Sequence, residues 1–232
     1  MKENGLRTSC EEKDREQEWK EYNKRKRLRL KNSDFTIIAS NCCGTVMYYD
    51  MGLPFLSPTI NLNIEMKAFV QMVENLPWYM EQEIVEVKEK SSWPIGMLRG
   101  GVRIDFVHYN TFEEAVQKWE ERKKRINWDN MFIVGAEKCG CDLETVKKFD
   151  ELPYKNKVIF THVEYPEIAS AYYIKGFEAA DEIGVLTNYK DTPLKRRYLD
   201  DFDYVSFLNG DGIHDNRGEK RIAEKKYKER FR

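Results

Sequence analysis

The sequence predicts a three-layer α/β/α domain with a largely parallel sheet. Short apolar runs rich in β-branched and aromatic residues alternate with longer segments whose apolar residues recur every three or four positions. Strands that alternate with helices are typical of a parallel sheet covered by helices on both faces. No linker or internal repeat interrupts this alternation, so we predict a single α/β domain over residues 32–210, with charged helical appendages at both ends.

The first predicted strand, residues 35–39, is a continuous apolar run typical of a buried parallel strand, and we expect it to be a central strand of the sheet with Cys42 at its carboxyl end. It leads through the turn at residues 41–44 into a short helix over residues 45–51, which Gly52 ends. Apolar residues at three- and four-residue spacing predict a second helix over residues 67–76. The predicted domain therefore begins with a strand, a turn and a helix.

The middle of the chain predicts two strands, residues 84–87 and 102–107, because polar and apolar residues alternate there. The segments at 93–96 and 100–101 are rich in proline and glycine and predict turns between them. The capping-box pattern from Thr111 to Glu114 then predicts a helix. Its predicted buried stripe consists of Phe112, Ala115, Val116, Trp119 and Ile126. The remaining predicted elements are a strand at 131–135, a helix at 143–150, and strands at 157–161, 183–186 and 204–208.

The two ends of the chain differ in charge from its body. Residues 1–31 carry a net charge of +4, residues 211–232 carry +3, and residues 32–210 carry −8. Neither end has a continuous apolar stripe, so we expect little of either to be buried and both to be dispensable for the fold. Basic ends suit an anionic membrane surface, whereas the lack of interleaved aromatic residues disfavours nucleic acid.

Composition excludes several classes of protein. No run of about 18 apolar residues is present, which argues against a transmembrane helix. The N-terminal residues lack the apolar stretch of a secretory signal. Five cysteines, two of them adjacent, suit reduced thiols better than a disulfide framework. We therefore expect a cytoplasmic protein.

The best-placed candidate for chemistry is the turn that contains Asn41 and Cys42. Ligands of open α/β sheets bind beyond the carboxyl ends of the strands, and a helix N-terminus lowers the pKa of a cysteine there. Cys42 is therefore a candidate nucleophile, with His108 as its base, Asp129 or Asn130 to orient the base, and Asn41 as a substrate-binding group. The alternative is that Cys42 packs as a small apolar core residue.

A second candidate is the polar cluster at residues 125–130. Arginine and asparagine side chains beside a tryptophan suit a sugar or a phosphate, and this predicts substrate binding by Arg125, Asn127 and Asn130. The alternative is a local turn, in which Asn and Asp are favoured for their own backbone bonds. The cluster and His108 lie at opposite ends of one predicted helix, so they share a site only if the chain folds back after residue 126.

Other motifs are weaker. Asp201-Phe202-Asp203 has the spacing of glycosyltransferase metal sites, but three residues in so acidic a chain match by chance. Cys139-Gly140-Cys141 has no second cysteine pair to complete a zinc site. We predict no metal site and assign no cofactor. The absence of nucleotide-binding glycine motifs and of a G-x-S-x-G elbow disfavours dinucleotide enzymes, P-loop proteins and serine hydrolases.

Several ordered motifs carry a resemblance to a known family. They are SNCCG at 40–44, YDMGLPFLSPT at 49–59, WPIG at 93–96, HYNTFEEA at 108–115, RINWDN at 125–130 and FDELP at 149–153. Over about residues 34–208 the chain resembles a bacterial domain-of-unknown-function family whose members are often labelled exopolysaccharide or capsular polysaccharide biosynthesis proteins.

The resemblance implies a role in bacterial surface-polysaccharide assembly. Its leading form is a glycosyl- or acyl-transferase acting on an activated sugar or a sugar-linked acceptor. The alternative is a non-catalytic accessory protein that binds a polysaccharide-assembly enzyme or the anionic membrane surface. Convergence of Cys42, His108 and Asp129 on one pocket would favour the enzyme.

Overall fold

A computed structural model describes the backbone of residues 2–230 and the side chains of residues 12–219 and 221–229. Its strands are β1 (Thr36–Ala39), β2 (Val85–Glu86), β3 (Ile95–Leu98), β4 (Val102–Asp105), β5 (Met131–Ala136), β6 (Asn156–Thr161) and β7 (Ala171–Tyr173). Its α-helices are α1 (Lys2–Arg29), α2 (Cys43–Met51), α3 (Met66–Glu74), α4 (Leu76–Met80), α5 (Phe112–Lys123), α6 (Leu143–Glu151), α7 (Tyr204–Leu208) and α8 (Arg217–Arg230). Two 3₁₀ turns occur at Arg99–Gly101 and Tyr198–Asp201.

The main sheet has four parallel strands in the order β1-β5-β6-β7. Each strand is a short apolar run, and alternate side chains point to opposite faces of the sheet. Ile38, Ile133 and Ile159 pack on one face with apolar residues of α3, α5 and α6. Ile37, Phe132 and their neighbours pack on the other face with residues of α2 and α7. The predicted three-layer α/β/α fold is therefore confirmed.

A second, antiparallel sheet of β2, β3 and β4 lies apart from the main sheet. Its middle strand β3 covers part of the segment predicted as a turn. The turn was predicted here because Trp93-Pro94-Ile95-Gly96 contains both proline and glycine, which are typical of turns. Gly96 lies within this strand, and a Cβ at its position would come within 2.4 Å of the Ile84 side chain. The glycine here allows close packing rather than a turn.

Two late strand predictions are wrong. Residues 183–186 form no strand, although Ile183 and Leu186 are buried. Residues 204–208 form the helix α7, because the Asp203 side chain accepts a hydrogen bond from the backbone N–H of Ser206 and caps it. The fourth strand of the sheet is instead β7, which the sequence analysis did not predict.

The N-terminal helix α1 packs against the body of the protein, contrary to the expectation that little of residues 1–31 is buried. Tyr22, Asn23 and Lys26 are buried, and the α1 helix contacts both α2 and α7. The contacts are polar: Lys26 donates a hydrogen bond to Asp200, and the Arg27 guanidinium donates one to the Asp50 carbonyl oxygen. An apolar stripe was absent from the sequence because buried charges, rather than aliphatic side chains, join this helix to the domain.

Candidate functional site

A cleft of about 560 Å³ opens beyond the carboxyl ends of β1 and β5. Three segments form its walls: the turn between β1 and α2, the region around β4 that includes Asp105 and His108, and the loop at residues 184–188. Lys138 and Cys139, which follow β5, also line it. The cleft therefore lies where a parallel α/β sheet commonly binds ligands.

The turn between β1 and α2 contributes Asn41 and Cys42 to the cleft. The Asn41 side-chain oxygen accepts the Cys43 backbone N–H at 2.9 Å, which satisfies one of the free donors at the start of α2. A Cβ on Gly44 would lie 2.9 Å from the Ala39 Cβ, so the absence of a side chain lets α2 begin directly over β1. β1 is an edge strand rather than the central strand that we expected.

The Cys42 thiol lies in the cleft, but its environment does not make it a thiolate. Burial raises the pKa of Cys42 to about 11. The thiol makes a long hydrogen bond of 3.9 Å to the Leu62 carbonyl oxygen, and no hydrogen bond joins it to His108 among the described residues. The expectation of a lowered pKa is therefore wrong, because burial disfavours the charged thiolate.

The opposite wall combines Trp93, Asp105 and His108. Asn63 and Asp105 exchange backbone hydrogen bonds of 2.8 and 2.9 Å, which fixes the segment after α2 against β4. The Asp105 carboxylate accepts a hydrogen bond from Arg103 at 2.9 Å. Trp93 is 39% exposed and His108 is exposed. This wall presents an aromatic face together with a carboxylate and an imidazole.

Lys138 supplies positive charge to the cleft. Among the described residues that line the cleft, no other lysine or arginine is found. The adjoining backbone is held from two sides. The Cys139 N–H donates to the Glu182 carboxylate at 2.7 Å, and the Ile183 N–H donates to the Glu137 carbonyl oxygen at 3.0 Å. These bonds bring the 184–188 loop over the end of β5.

The structure brings Asn41, Cys42 and His108 together and places Asp129 elsewhere. Asp129 is exposed, and its backbone N–H donates to Asn127. This segment lies beside Thr36 at the amino end of β1, whereas the cleft is at the carboxyl end. Asp129 therefore does not lie beside His108, and the predicted three-residue arrangement does not form.

The other residues of the 125–130 cluster form hydrogen bonds at or near the start of β1. The Asn127 backbone N–H donates to the Thr36 hydroxyl at 2.8 Å. The Asn130 amide donates to the Asp34 carbonyl oxygen at 2.7 Å, and the Arg125 guanidinium donates to that of Phe55 at 3.2 Å. These contacts reach residues 34–55, which are distant in the sequence, so the cluster has a structural role that differs from the local turn of the alternative interpretation. The bond from the Asp129 N–H to the Asn127 side chain is of the local kind.

Sequence reasoning missed a polar cluster at the carboxyl ends of β5 and β6. Glu137 follows β5 and is buried, and its Oε2 lies 2.6 Å from Nδ1 of His162, which follows β6. The Tyr165 hydroxyl donates to Glu137 Oε1 at 2.7 Å. The signal was present in the sequence, because each of two neighbouring predicted strands is followed closely by an ionisable residue.

Comparison with known proteins places the chain in a family. Residues 13–209 match the family described as Domain of unknown function (DUF1919). The chain belongs to this family. It is also similar to a protein of Haemophilus influenzae (strain ATCC 51907 / DSM 11121 / KW20 / Rd) named "Uncharacterized protein", with 39% identity over 181 residues that cover 78% of this chain and 87% of the relative. Neither name mentions polysaccharide.

The DUF1919 match includes the cleft, the Glu137 cluster and most of α1, and it ends before α8. Within the described residues, no helix is long and apolar enough to cross a membrane. In the same part of the chain, no three His, Cys, Asp or Glu side chains are placed to hold a metal ion.

The two weaker motifs have structural roles in this DUF1919 protein. Asp201 is buried and pairs with Lys190 at 2.6 Å. Asp203 caps α7 and pairs with Arg29. Both carboxylates of the D-x-D spacing are thus engaged by basic side chains. Cys139 and Cys141 flank Gly140, whose φ of 73° marks a left-handed turn.

Proposed function

We propose that this protein is a transferase acting on an activated sugar or a sugar-linked acceptor, and that its substrate binds in the cleft beside Cys42. The observation that carries the proposal is the composition of this one cleft, where the exposed face of Trp93 lies with Asp105, His108 and Lys138. Sugars need both an apolar platform and hydroxyl partners, and the cleft supplies both.

Each group has a role that its chemistry supports. A tryptophan ring packs against the apolar C–H face of a sugar. Carboxylate and amide groups, here Asp105, Asn63 and Asn188, suit hydroxyl groups. The Lys138 ammonium suits the phosphate of an activated donor. A volume of about 560 Å³ is within the range of small-molecule sites.

The state of Cys42 favours glycosyl transfer over acyl transfer. Acyl transfer through a cysteine needs a thiolate, and the raised pKa of Cys42 keeps it as a thiol at neutral pH. In glycosyl transfer Cys42 needs no ionisation and lines the cleft as a neutral group.

The alternative proposal is an accessory protein that binds a polysaccharide-assembly enzyme or an anionic membrane surface. A groove of about 420 Å³ between α1 and α8 supports it, because Arg25, Arg29 and Lys226 line this groove and outnumber its acidic side chains, Glu18 and Glu219. Leu28 and Ile222 are both well exposed on the same two helices. This surface is separate from the cleft, so the two proposals are tested by different variants.

The test is calorimetric titration with uridine and guanosine diphosphate sugars, together with mass spectrometry of ligands that co-purify. We expect binding that W93A and K138Q weaken. W78A and K147Q are matched controls, because Trp78 and Lys147 are exposed outside the cleft. Binding that the cleft variants leave unchanged, or no binding by any donor, would refute the cleft proposal. Binding to anionic vesicles that R25Q and R29Q abolish would favour the accessory role.

A further inference from the structure

The carboxylates around Asp105, in the wall of the cleft, outnumber the cation that they share. The Arg103 guanidinium lies between two of them, 2.7 Å from Glu89 and 2.9 Å from Asp105. One positive charge shared by two negative charges leaves one negative charge unbalanced. The Asp105 side chain is 20% exposed, and its second oxygen has no hydrogen-bond partner among the described residues. This oxygen is therefore free to accept a positively charged donor from a ligand.

The Trp93 ring lies in the same wall as Asp105. The pairing of β3 with β4 sets Ile95, two residues after Trp93, opposite Asp105. The Phe106 N–H donates to the Pro94 carbonyl oxygen at 3.0 Å and extends this pairing towards Trp93. Trp93 and Asp105 both line the cleft. The face of an indole ring attracts cations, and a nearby carboxylate adds a direct charge interaction. Together they suit an ammonium group.

Lys138 brings the opposite charge to the same cleft. It follows β5, its side chain is half-buried, and it lines the cleft. Within the described part of the chain, its ammonium group makes no hydrogen bond and no ion pair, so it is not neutralised by Asp105. A half-buried ammonium without a protein partner suits an anionic group of a ligand, such as a phosphate. The cleft therefore presents two opposite charges that do not pair with each other.

We propose that the substrate of this cleft is an activated amino sugar, whose free ammonium group binds between the Trp93 ring and the Asp105 carboxylate while its phosphate binds Lys138. This inference rests on the proposed function and names the class of sugar. A neutral sugar meets the same hydrogen-bonding groups but leaves the negative charge beside Asp105 unbalanced. An N-acetylated amino sugar has lost its positive charge and has the same disadvantage. A free amine is therefore the feature that this wall selects.

The first test compares three donors by calorimetric titration of the full chain: the uridine diphosphate derivatives of glucosamine, N-acetylglucosamine and glucose. They share the nucleotide and differ at one substituent of the sugar. In slightly acidic buffer, where the sugar amine is protonated, we expect the glucosamine donor to bind about tenfold more tightly than the two neutral donors. If the three bind equally, or a neutral donor binds more tightly, this inference fails while the proposed function stands. If none of them binds, both fail.

The second test locates the group that recognises the amine. We expect D105N to abolish the preference for the glucosamine donor and W93A to reduce it, whereas W93F keeps an aromatic face and retains most of it. E86Q is the matched control, because Glu86 is an exposed carboxylate of the same small sheet and lies outside the cleft. K138Q should weaken all three donors by a similar factor and leave the preference in place. A preference that D105N and W93A leave unchanged would show that the amine binds elsewhere, and would overturn the inference.

Discussion

The Lys26 ammonium lies 2.7 Å from the Asp200 carboxylate, and the two side chains are 5% and 1% exposed. This buried ion pair joins α1 to the 3₁₀ turn at Tyr198–Asp201, across 174 residues of sequence. Burial lowers the pKa of Lys26 from its ordinary value. Burial alone would raise the pKa of Asp200, but Lys26 and the Arg197 N–H together keep it below its ordinary value.

Further polar groups extend this pair into a network. The Tyr204 hydroxyl accepts a hydrogen bond from Lys26 at 2.6 Å and donates one to the Asp50 carboxylate at 2.6 Å. Arg197 donates to the same Asp50 oxygen at 2.7 Å. Removing one member of such a network leaves an uncompensated buried charge. The position of α1 therefore depends on these charges.

We expect K26M to lower the free energy of unfolding by about 3–5 kcal/mol, because Asp200 loses its closest cation in a buried site. K24M is the matched control, since Lys24 is exposed on the same helix. Urea denaturation of both variants measures the difference. Equal stability of K26M and K24M would show that the ion pair contributes nothing.

The charge pattern of α1 could be predicted from the sequence, but its docking could not. Acidic residues early and basic residues late indicate a helix, and α1 is one. That Lys26 is buried depends on Asp50 and Asp200, which only the tertiary fold brings beside it. A lysine among other lysines has no local feature that marks it as buried.

The candidate site was also predictable only in part. The position of Cys42 followed from local signals, because an apolar run and a turn place it beyond β1. Asp129 was misplaced although its position was predictable, because it lies just before β5 and therefore at the amino edge of a parallel sheet, opposite the cleft. Glu137 and His162 become a pair only because β5 and β6 are adjacent.

Truncation tests which charged end belongs to the fold. We expect deletion of residues 1–31 to abolish cooperative thermal unfolding, because it removes Lys26 and Tyr22. Deletion of residues 221–232 should leave the melting temperature nearly unchanged, since Arg221, Ile222 and Lys226 are exposed. The cut retains Asn216, which donates to the Tyr22 hydroxyl at 2.9 Å. If the protein that lacks residues 1–31 still unfolds cooperatively, α1 is dispensable for the fold, as the sequence analysis expected.

Trp119 is the largest fully buried side chain and packs with the core on the α5 face of the sheet. We expect W119A to lower the free energy of unfolding by about 3–5 kcal/mol, the usual cost of truncating a buried tryptophan. W128A is the control, because Trp128 is well exposed, and it should change stability by less than about 0.5 kcal/mol. Denaturant unfolding of both proteins decides whether the α5 stripe is assigned correctly.

Asp203 makes stability depend on pH. Burial would raise its pKa, but bonds from Arg29 and Ser206 hold the pKa below the ordinary value. The folded state then favours the ionised form, so this contribution is present above about pH 4 and is lost as pH falls through the folded pKa. In D203N the α7 cap is retained, since asparagine caps as well as aspartate.

We therefore expect D203N to be less stable than the parent at pH 7 by about 1 kcal/mol, a small value because Arg29 is partly exposed. The difference should shrink as pH is lowered from 5 to 2. Unfolding free energies measured across this range check the sign. A difference that grows in acid would mean that the Asp203 pKa is raised rather than lowered.

Alkylation of Cys42 by iodoacetamide tests the state of its thiol. Burial raises the pKa of Cys42 to about 11, and only the thiolate reacts. At pH 7.5 the thiolate fraction is then about 300 times smaller than that of an ordinary cysteine of pKa about 8.5. We expect slow modification at pH 7.5 and a rate that rises about tenfold per pH unit up to pH 10. The same cysteine in the urea-unfolded chain is the reference, and circular dichroism at each pH confirms that the fold persists. Rapid modification of folded Cys42 at neutral pH would identify a thiolate, and acyl transfer through Cys42 would then become the favoured chemistry of the cleft.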